Sequence, residues 1–169
     1  MMPGMSGTEF CKRLINDMKM DDLPVLLISA ANDKSAVVRD FINLPLKHKG
    51  FLKKPFQPDE LLNNVEAVFR QSGFQLPADH PVSHKSPPTG QDFNPEFKSE
   101  ISGGKLDAPQ NQGYRILIID DEPDIRNILE TTLGIFHTCE TAENGMVGLQ
   151  KLDEFAPDFV LSDINMPVM

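Results

Sequence analysis

The stretch RILIIDDEP, residues 115–123, decides the fold class of this chain. Four consecutive apolar residues, 116–119, are typical of a strand that is buried on both faces of a parallel sheet. Asp120 and Asp121 end that strand, and Pro123 suits the first position of a helix. A buried strand that passes through acidic residues into a helix predicts a strand–helix–strand unit.

The same alternation of strands and helices extends on both sides of this stretch. Strands that alternate with helices of about 10 to 15 residues predict a parallel α/β sheet with helices on both faces. We predict helices from Gly7 to about Met18, from about Asp33 to Phe41, from Pro58, from Pro123 and from about Gly145 to Phe155, and strands at 25–28, 50–53, 115–119, near 138–141 and at 159–162.

Residues 74–113 differ from the sequence on either side of them. Six of the 14 prolines lie here, with scattered Gly, Ser and Gln and without an apolar period. A segment of this composition cannot bury enough surface to offset its ordering entropy, which predicts a flexible linker. His80 and His84 are four residues apart, but Pro81 between them prevents a regular helix, so we interpret them as solvated rather than metal-binding.

Charge and composition exclude several classes of function. The net charge of −9 over 169 residues argues against a nucleic-acid surface, which needs clustered Lys and Arg. No apolar stretch approaches the roughly 20 residues that cross a bilayer, and the first residues do not resemble a signal peptide. Cys11 and Cys139 lack metal-ligand spacing, so we predict two reduced, buried side chains. These features favour a cytoplasmic location, without nucleic-acid or membrane contact by this segment.

Three carboxylates follow predicted strands. Asp120 and Asp121 end one strand and Asp163 ends another. Ligands of open parallel sheets collect at the carboxyl ends of the strands, and carboxylates that meet there need raised pKa values or a cation. Oxygen ligands in this number suit Mg²⁺. The alternative is a set of solvated loop acids.

Ser29 and Lys54 also stand at predicted strand ends. Alone, the serine could cap a helix and the lysine could be an ordinary surface ammonium. Together with the three acids they form a coherent phosphoryl site. In such a site Asp163 attacks phosphorus, while the hydroxyl and the ammonium donate to the oxygens around it.

Four strings resemble the signature segments of response-regulator receiver domains: ILIIDDEPDIR at 116–126, VLSDINMP at 160–167, VLLISA at 25–30 and FLKKPF at 51–56. In addition, MPGMSG at 2–7 is similar to the loop that follows the phosphorylated aspartate in that family. The resemblance implies a doubly wound, five-stranded parallel sheet with strand order 2-1-3-4-5.

The resemblance also assigns roles to the acidic residues. It implies that Asp163 is the phospho-acceptor and that Asp120, Asp121 and Asp163 bind Mg²⁺ together with the backbone carbonyl of Asn165.

For the other strand ends, the resemblance implies that Ser29 and Lys54 contact the phosphoryl group and that Phe51 is the aromatic switch residue. It further implies a cis peptide between Lys54 and Pro55, which is accessible because proline follows.

The segments stand out of the family's usual order. The Met-Pro-x-Met pattern occurs twice, with Pro3 and Pro167 placed 164 residues apart, which indicates a repeating unit of one receiver plus the linker. We therefore interpret residues 1–73 as the C-terminal part of one receiver and 114–169 as the N-terminal part of the next. Joined by the linker, the two parts can close into one circularly permuted receiver. The alternatives are halves that stay molten, or halves that swap between chains in a dimer.

The leading functional hypothesis is phosphorelay. The chain is then a regulatory domain rather than an enzyme, and its partner is a histidine kinase or a histidine phosphotransfer protein. Tandem receivers on a long linker resemble the tails of hybrid histidine kinases or multi-receiver regulators. One alternative is a Mg²⁺-dependent phosphohydrolase of the haloacid dehalogenase type, but that family needs an acid where Asn165 stands. Another is a non-phosphorylatable interaction scaffold or an incompetent fragment.

Overall fold

The computed structural model describes residues 5–30, 36–73 and 113–164, apart from the side chain of Val37. These residues belong to one compact unit that combines both ends of the chain. The predicted linker lies almost wholly outside the described residues, as do His80, His84 and Asn165.

Five helices and five strands alternate through the described residues. In chain order they are α1 Gly7–Asn16, β1 Val25–Ser29, α2 Ala36–Ile42, β2 Lys49–Lys53, α3 Pro58–Gln71, β3 Arg115–Ile119, α4 Pro123–Leu133, β4 Thr138–Ala142, α5 Gly145–Phe155 and β5 Phe159–Asp163. Each corresponds to a predicted element and most bounds differ by one or two residues; the predicted start of α2 falls among residues that are not described.

The strands form one parallel sheet in the order β2-β1-β5-β3-β4. If the strands are renumbered one to five in the order β3, β4, β5, β1, β2, the sheet reads 2-1-3-4-5 from the β4 edge to the β2 edge. The predicted fold and its circular permutation are therefore confirmed. The two parts of the chain meet along a central pair, in which β1 lies beside β5. The sheet is therefore continuous only when both parts contribute.

Apolar residues of the central strands alternate between two cores because successive side chains of a strand point to opposite faces. Val25 and Leu27 pack with α1, α2 and α5 on one face, and Leu26 and Ile28 pack with α3 and α4 on the other. Both faces of β1 and β5 are buried, as the continuous apolar runs predicted.

Local sequence explains where the helices begin. The Ser6 hydroxyl accepts a hydrogen bond from the Glu9 amide at the start of α1, and Asn144 Oδ1 accepts from the amides of Met146 and Val147 at the start of α5. Among the described residues, no helix combines the length and the apolar composition needed to cross a bilayer.

Both cysteines are free. Cys11 is buried, and burial raises the pKa of its thiol to about 12. Cys139 is only partly buried, contrary to the prediction, because it lies on the edge strand β4. Burial and the negative charge of Glu130 raise the pKa of its thiol to about 12. Neither thiol is therefore a ready nucleophile.

Candidate functional site

The carboxyl ends of β1, β2, β3 and β5 meet at one edge of the sheet. Ile28 pairs with Asp163 across the junction of the two chain parts, and the Ile164 amide donates to the Ile28 carbonyl at 2.9 Å. On the other side of β1, the Lys54 amide donates to the Ser29 carbonyl at 2.8 Å. The strands that end at Ser29 and Asp163 are therefore neighbours, as the implied strand order 2-1-3-4-5 requires of a permuted receiver.

The ammonium of Lys54 lies between two carboxylates from the other end of the chain. Its Nζ is 2.6 Å from Asp163 Oδ2 and 3.1 Å from Asp120 Oδ2. The side chains of Lys54, Asp120 and Asp163 are 15%, 1% and 7% exposed. Because charge-assisted hydrogen bonds are stronger away from water, this contact links the two chain parts at the point where the acids gather.

Burial and charge act on these groups in opposite directions. Burial lowers the pKa of Lys54, but hydrogen bonds and attraction from Asp163 and Asp120 outweigh it, so the pKa of the ammonium is raised. Burial raises the pKa of Asp120, and the charge of Asp163 adds to the rise. The Glu122 amide and the Lys54 ammonium only partly oppose it. The site holds Lys54 charged while it disfavours the charge on Asp120.

A tight turn presents the acids that follow β3. Asp120 Oδ1 accepts a hydrogen bond from the Glu122 amide at 2.9 Å, and Arg126 Nη1 donates to the Asp120 carbonyl at 2.5 Å. Asp121, which lies between Asp120 and Glu122 in the sequence, is partly exposed. Among the described residues, one group of three acidic side chains has oxygens that all lie within 4.8 Å of one another, and it consists of Asp120, Glu122 and Asp163.

That group differs from the acids expected from the sequence. Glu122 was not among the predicted site residues, and Asp121 is not part of the group. The available signal was the acidic run 120–122, but its letters do not show which side chains face the site. The turn at Asp120 decides this, since it folds the third residue of the run back over the first.

The remaining predicted residues have the following places. Ser29 is fully buried at the end of β1. Phe51 is partly buried on β2, pairs in register with Leu27, and packs against the core formed with α1, α2 and α5. The peptide between Lys54 and Pro55 is cis, as predicted.

The donor set at this edge suits a hard divalent cation. All three acidic groups offer oxygen, two of them are buried, and the third is exposed at the mouth. Mg²⁺ prefers few carboxylates and keeps several water ligands, which an open mouth allows. The residues therefore fit the ion that the sequence predicted.

Comparison with known proteins gives matches in two-component signalling proteins. The family profile described as "Response regulator receiver domain" matches residues 1–66 and 116–169. The chain is 43% identical over 63 residues to the Sensor histidine kinase RcsC of Salmonella typhimurium, covering 37% of this chain and 7% of that protein.

Two further relatives are regulators. The chain is 34% identical over 92 residues to the Response regulator GtcR of Aneurinibacillus migulanus, covering 54% of this chain and 36% of the relative. It is 32% identical over 73 residues to the Phosphate regulon transcriptional regulatory protein PhoB of Pseudomonas aeruginosa, covering 43% and 31%. The chain thus spans about a third of the length of these two regulators and 7% of the length of the kinase. No solved structure matches it significantly.

Proposed function

Because the chain belongs to the response regulator receiver domain family, we propose that Asp163 accepts a phosphoryl group in two-component signalling. One observation carries the proposal: the Lys54 ammonium, 109 residues away in the chain, lies 2.6 Å from the Asp163 carboxylate. An acceptor carboxylate needs a cation where phosphoryl charge spreads, and Lys54 supplies one.

The transfer step follows from these positions. An Asp163 oxygen bonds to phosphorus as the bond from phosphorus to the donor's histidine nitrogen breaks, and the histidine keeps the bonding electrons. Lys54 then donates to phosphoryl oxygens, and the buried Ser29 hydroxyl is a second donor beside them. A bound Mg²⁺ supplies positive charge at the transferring oxygens. Asp120 and Asp163 would hold it, with Asp121 and the Asn165 carbonyl as further proposed ligands.

The switch follows from the same contact. In the described state Lys54 bonds to Asp163 directly, and a phosphoryl group on Asp163 would redirect that ammonium and draw the Ser29 hydroxyl toward the new oxygens. Phe51 lies on β2, next to the strand that ends at Ser29, and is only partly buried. Its side chain would change position when Asp163 is phosphorylated and so alter the surface that a partner contacts.

The proposed partner is a cytoplasmic histidine kinase or histidine phosphotransfer protein. We retain the interpretation that 1–73 and 114–169 derive from consecutive receivers joined by a linker. Swapping of the two parts between chains would give a dimer with the same site. The contact between Lys54 and Asp163 argues against a scaffold without a site, and Asn165 argues against the phosphohydrolase.

Acetyl phosphate labelling tests this function. With Mg²⁺ present, the wild-type chain should gain one phosphoryl group that is visible as a shifted band on a phosphate-affinity gel. Asp163→Asn should remove the band because the amide is a poor nucleophile. Asp153→Asn, an exposed acid on α5, is the matched control and should label normally.

Chelation of the metal should also remove the band. A wild-type chain that never labels, or an Asp163→Asn chain that labels as well as the wild type, would refute the assignment of the acceptor.

A further inference from the structure

A cavity of about 430 Å³ lies between α4 and the loop that follows β2. Ile125, Ile128 and Leu129 line it from α4, and Pro55 and Phe56 line it from the loop. Its volume falls within the range of about 300–1,000 Å³ that is typical of small-molecule sites. The transfer proposed above gives this cavity no role.

The cavity adjoins the proposed phosphoryl site. Lys54 is part of its lining, and the Nζ atom of the same residue lies 2.6 Å from Asp163 Oδ2. Ala30 is also part of the lining, and it directly follows Ser29, the second proposed donor to the phosphoryl oxygens. A phosphoryl donor that contacts Lys54 and Ser29 therefore has this cavity beside it.

The lining combines one cation with apolar walls. Of the described residues that form it, Lys54 alone is ionisable, and the others are alanine, proline and large apolar side chains. Burial lowers the pKa of Lys54, but Asp163 and Asp120 outweigh it, so the ammonium stays charged. Ile128, on the α4 wall, is 56% exposed. An anion with a short apolar chain matches both features, because its charge would lie at Lys54 and its chain would cover apolar surface.

Acyl phosphates have this composition. Their acyl chain is apolar, and their phosphoryl group is activated for transfer because the leaving group is a weakly basic carboxylate. We propose that this chain takes phosphoryl groups directly from small acyl phosphates and that the cavity binds their acyl chain. The inference rests on the proposed function, since Asp163 is the acceptor in both.

The transfer step is a displacement at phosphorus. An Asp163 oxygen bonds to phosphorus as the bond between phosphorus and the bridging oxygen of the acyl phosphate breaks. The departing carboxylate keeps the bonding electrons, and neither a proton nor a water molecule is consumed. The α4 wall of the cavity holds the acyl chain while the reacting atoms lie at Asp163, so a longer chain should raise the rate constant of transfer.

Phosphorylation of the full chain by two donors tests the proposal. Acetyl phosphate and butyryl phosphate have leaving groups of nearly equal basicity, but the butyryl chain is longer by two methylene groups. With Mg²⁺ present, the second-order rate constant of labelling, followed on a phosphate-affinity gel, should be about 10-fold higher with butyryl phosphate. A fully buried methylene group is worth about a factor of four, and the exposed Ile128 leaves this cavity partly open. Asp163→Asn should label with neither donor.

Ile128→Ala shortens an exposed part of the α4 wall, and it should lower the ratio of the two rate constants to about threefold. The ratio separates a lost chain contact from a structural defect, because a displaced site would slow both donors alike. Ile135→Ala is the matched control, since Ile135 is 68% exposed, follows the same helix and does not belong to the lining. The ratio in this variant should stay at the wild-type value.

Equal rate constants for the two donors in the wild type would overturn the proposal and leave the cavity to a protein donor, while the assignment of Asp163 would stand. A wild-type ratio in Ile128→Ala, or an equal fall in Ile135→Ala, would also overturn it, because the preference would then arise outside the cavity. A wild-type chain that neither donor labels would refute the acceptor role of Asp163, and the inference would fail with it.

Discussion

The N-terminal segment, residues 5–73, and the C-terminal segment, residues 113–164, contribute opposite chemistry to one site. The first provides the ammonium of Lys54 and the hydroxyl of Ser29, and the second provides the carboxylates of Asp120 and Asp163. Neither segment holds both the proposed acceptor and its cation. The site in this chain therefore depends on the contact between the two segments more than on either segment alone.

The same dependence holds for packing. The central strands β1 and β5 come from different segments, and so do the helices α1 and α5 that lie against one face of the sheet. Alone, either segment would expose an apolar strand edge that is fully buried here. Loss of the interface should therefore remove stability and the site together.

The largest effect should come from Phe69, which spans the segment interface. Its ring stacks on Tyr114 at a centroid distance of 3.8 Å and lies 4.7 Å from the ring of Phe159. Phe69→Ala should lower the free energy of unfolding by about 3–5 kcal/mol, as is usual for a buried aromatic residue. Urea titration followed by circular dichroism measures the loss.

A double-mutant cycle with Tyr114→Ala sharpens this prediction. The double variant should lose about 0.5–1.5 kcal/mol less unfolding free energy than the sum of the two single losses, which is the coupling expected of a stacked pair. Strict additivity would show that the rings do not couple the segments.

A smaller effect is expected at Gly7, where α1 begins directly against β5. A β-carbon on Gly7 would lie 2.1 Å from the Asp163 carbonyl oxygen, so the backbone must move. Gly7→Ala should cost about 1–3 kcal/mol through overpacking, and it should reduce acetyl phosphate labelling because it displaces Asp163.

Gly73→Ala provides the comparison away from the interface. Gly73 has φ +75°, and a β-carbon there would meet no atom within 4 Å. This change should cost about 1–2 kcal/mol from the left-handed backbone alone and leave labelling unchanged. Equal labelling of the two variants would contradict the close contact between Gly7 and Asp163.

The smallest effect should appear in the pH dependence of stability. The pKa of Asp120 is raised in the folded chain from its ordinary value of 3.8, mainly by burial. Within the window from 3.8 up to the raised value, the folded state binds more protons than the unfolded state. Stability therefore falls as pH rises through that window, by no more than about 1.4 kcal/mol per pH unit for one proton.

Asp120→Asn removes this titration. The unfolding free energy of the wild type relative to Asp120→Asn, measured by urea titration from pH 3 upward, should fall through the window and then level off. A difference that increases with pH would mean that attraction to Lys54 outweighs burial at Asp120.

Much of the fold followed from local patterns. The runs 25–28, 116–119 and 159–161 are apolar without a break, which is typical of strands buried on both faces, and Pro58 and Pro123 marked helix starts. The edge strands β2 and β4 are only partly buried and carry polar residues, yet their predicted bounds differ from the observed ones by one residue each. The position of Glu122 could not be predicted, since it depends on one side-chain-to-backbone bond.

The sequence by itself determined the elements, their parallel arrangement and the residue types at each strand end, because strand and helix periodicities are local properties. The family resemblance implied that β1 lies beside β5, but only the tertiary structure decided that the two parts of this chain pair in that way, that Lys54 reaches Asp163 and Asp120, and that Glu122 joins them. Such contacts join distant residues: Lys54 and Asp163 are 109 positions apart, and Val25 and Val160 are 135 apart, 160 less 25. They form only when two apolar strand edges pair and remove their surfaces from water, which is a property of the whole sheet and not of any one segment.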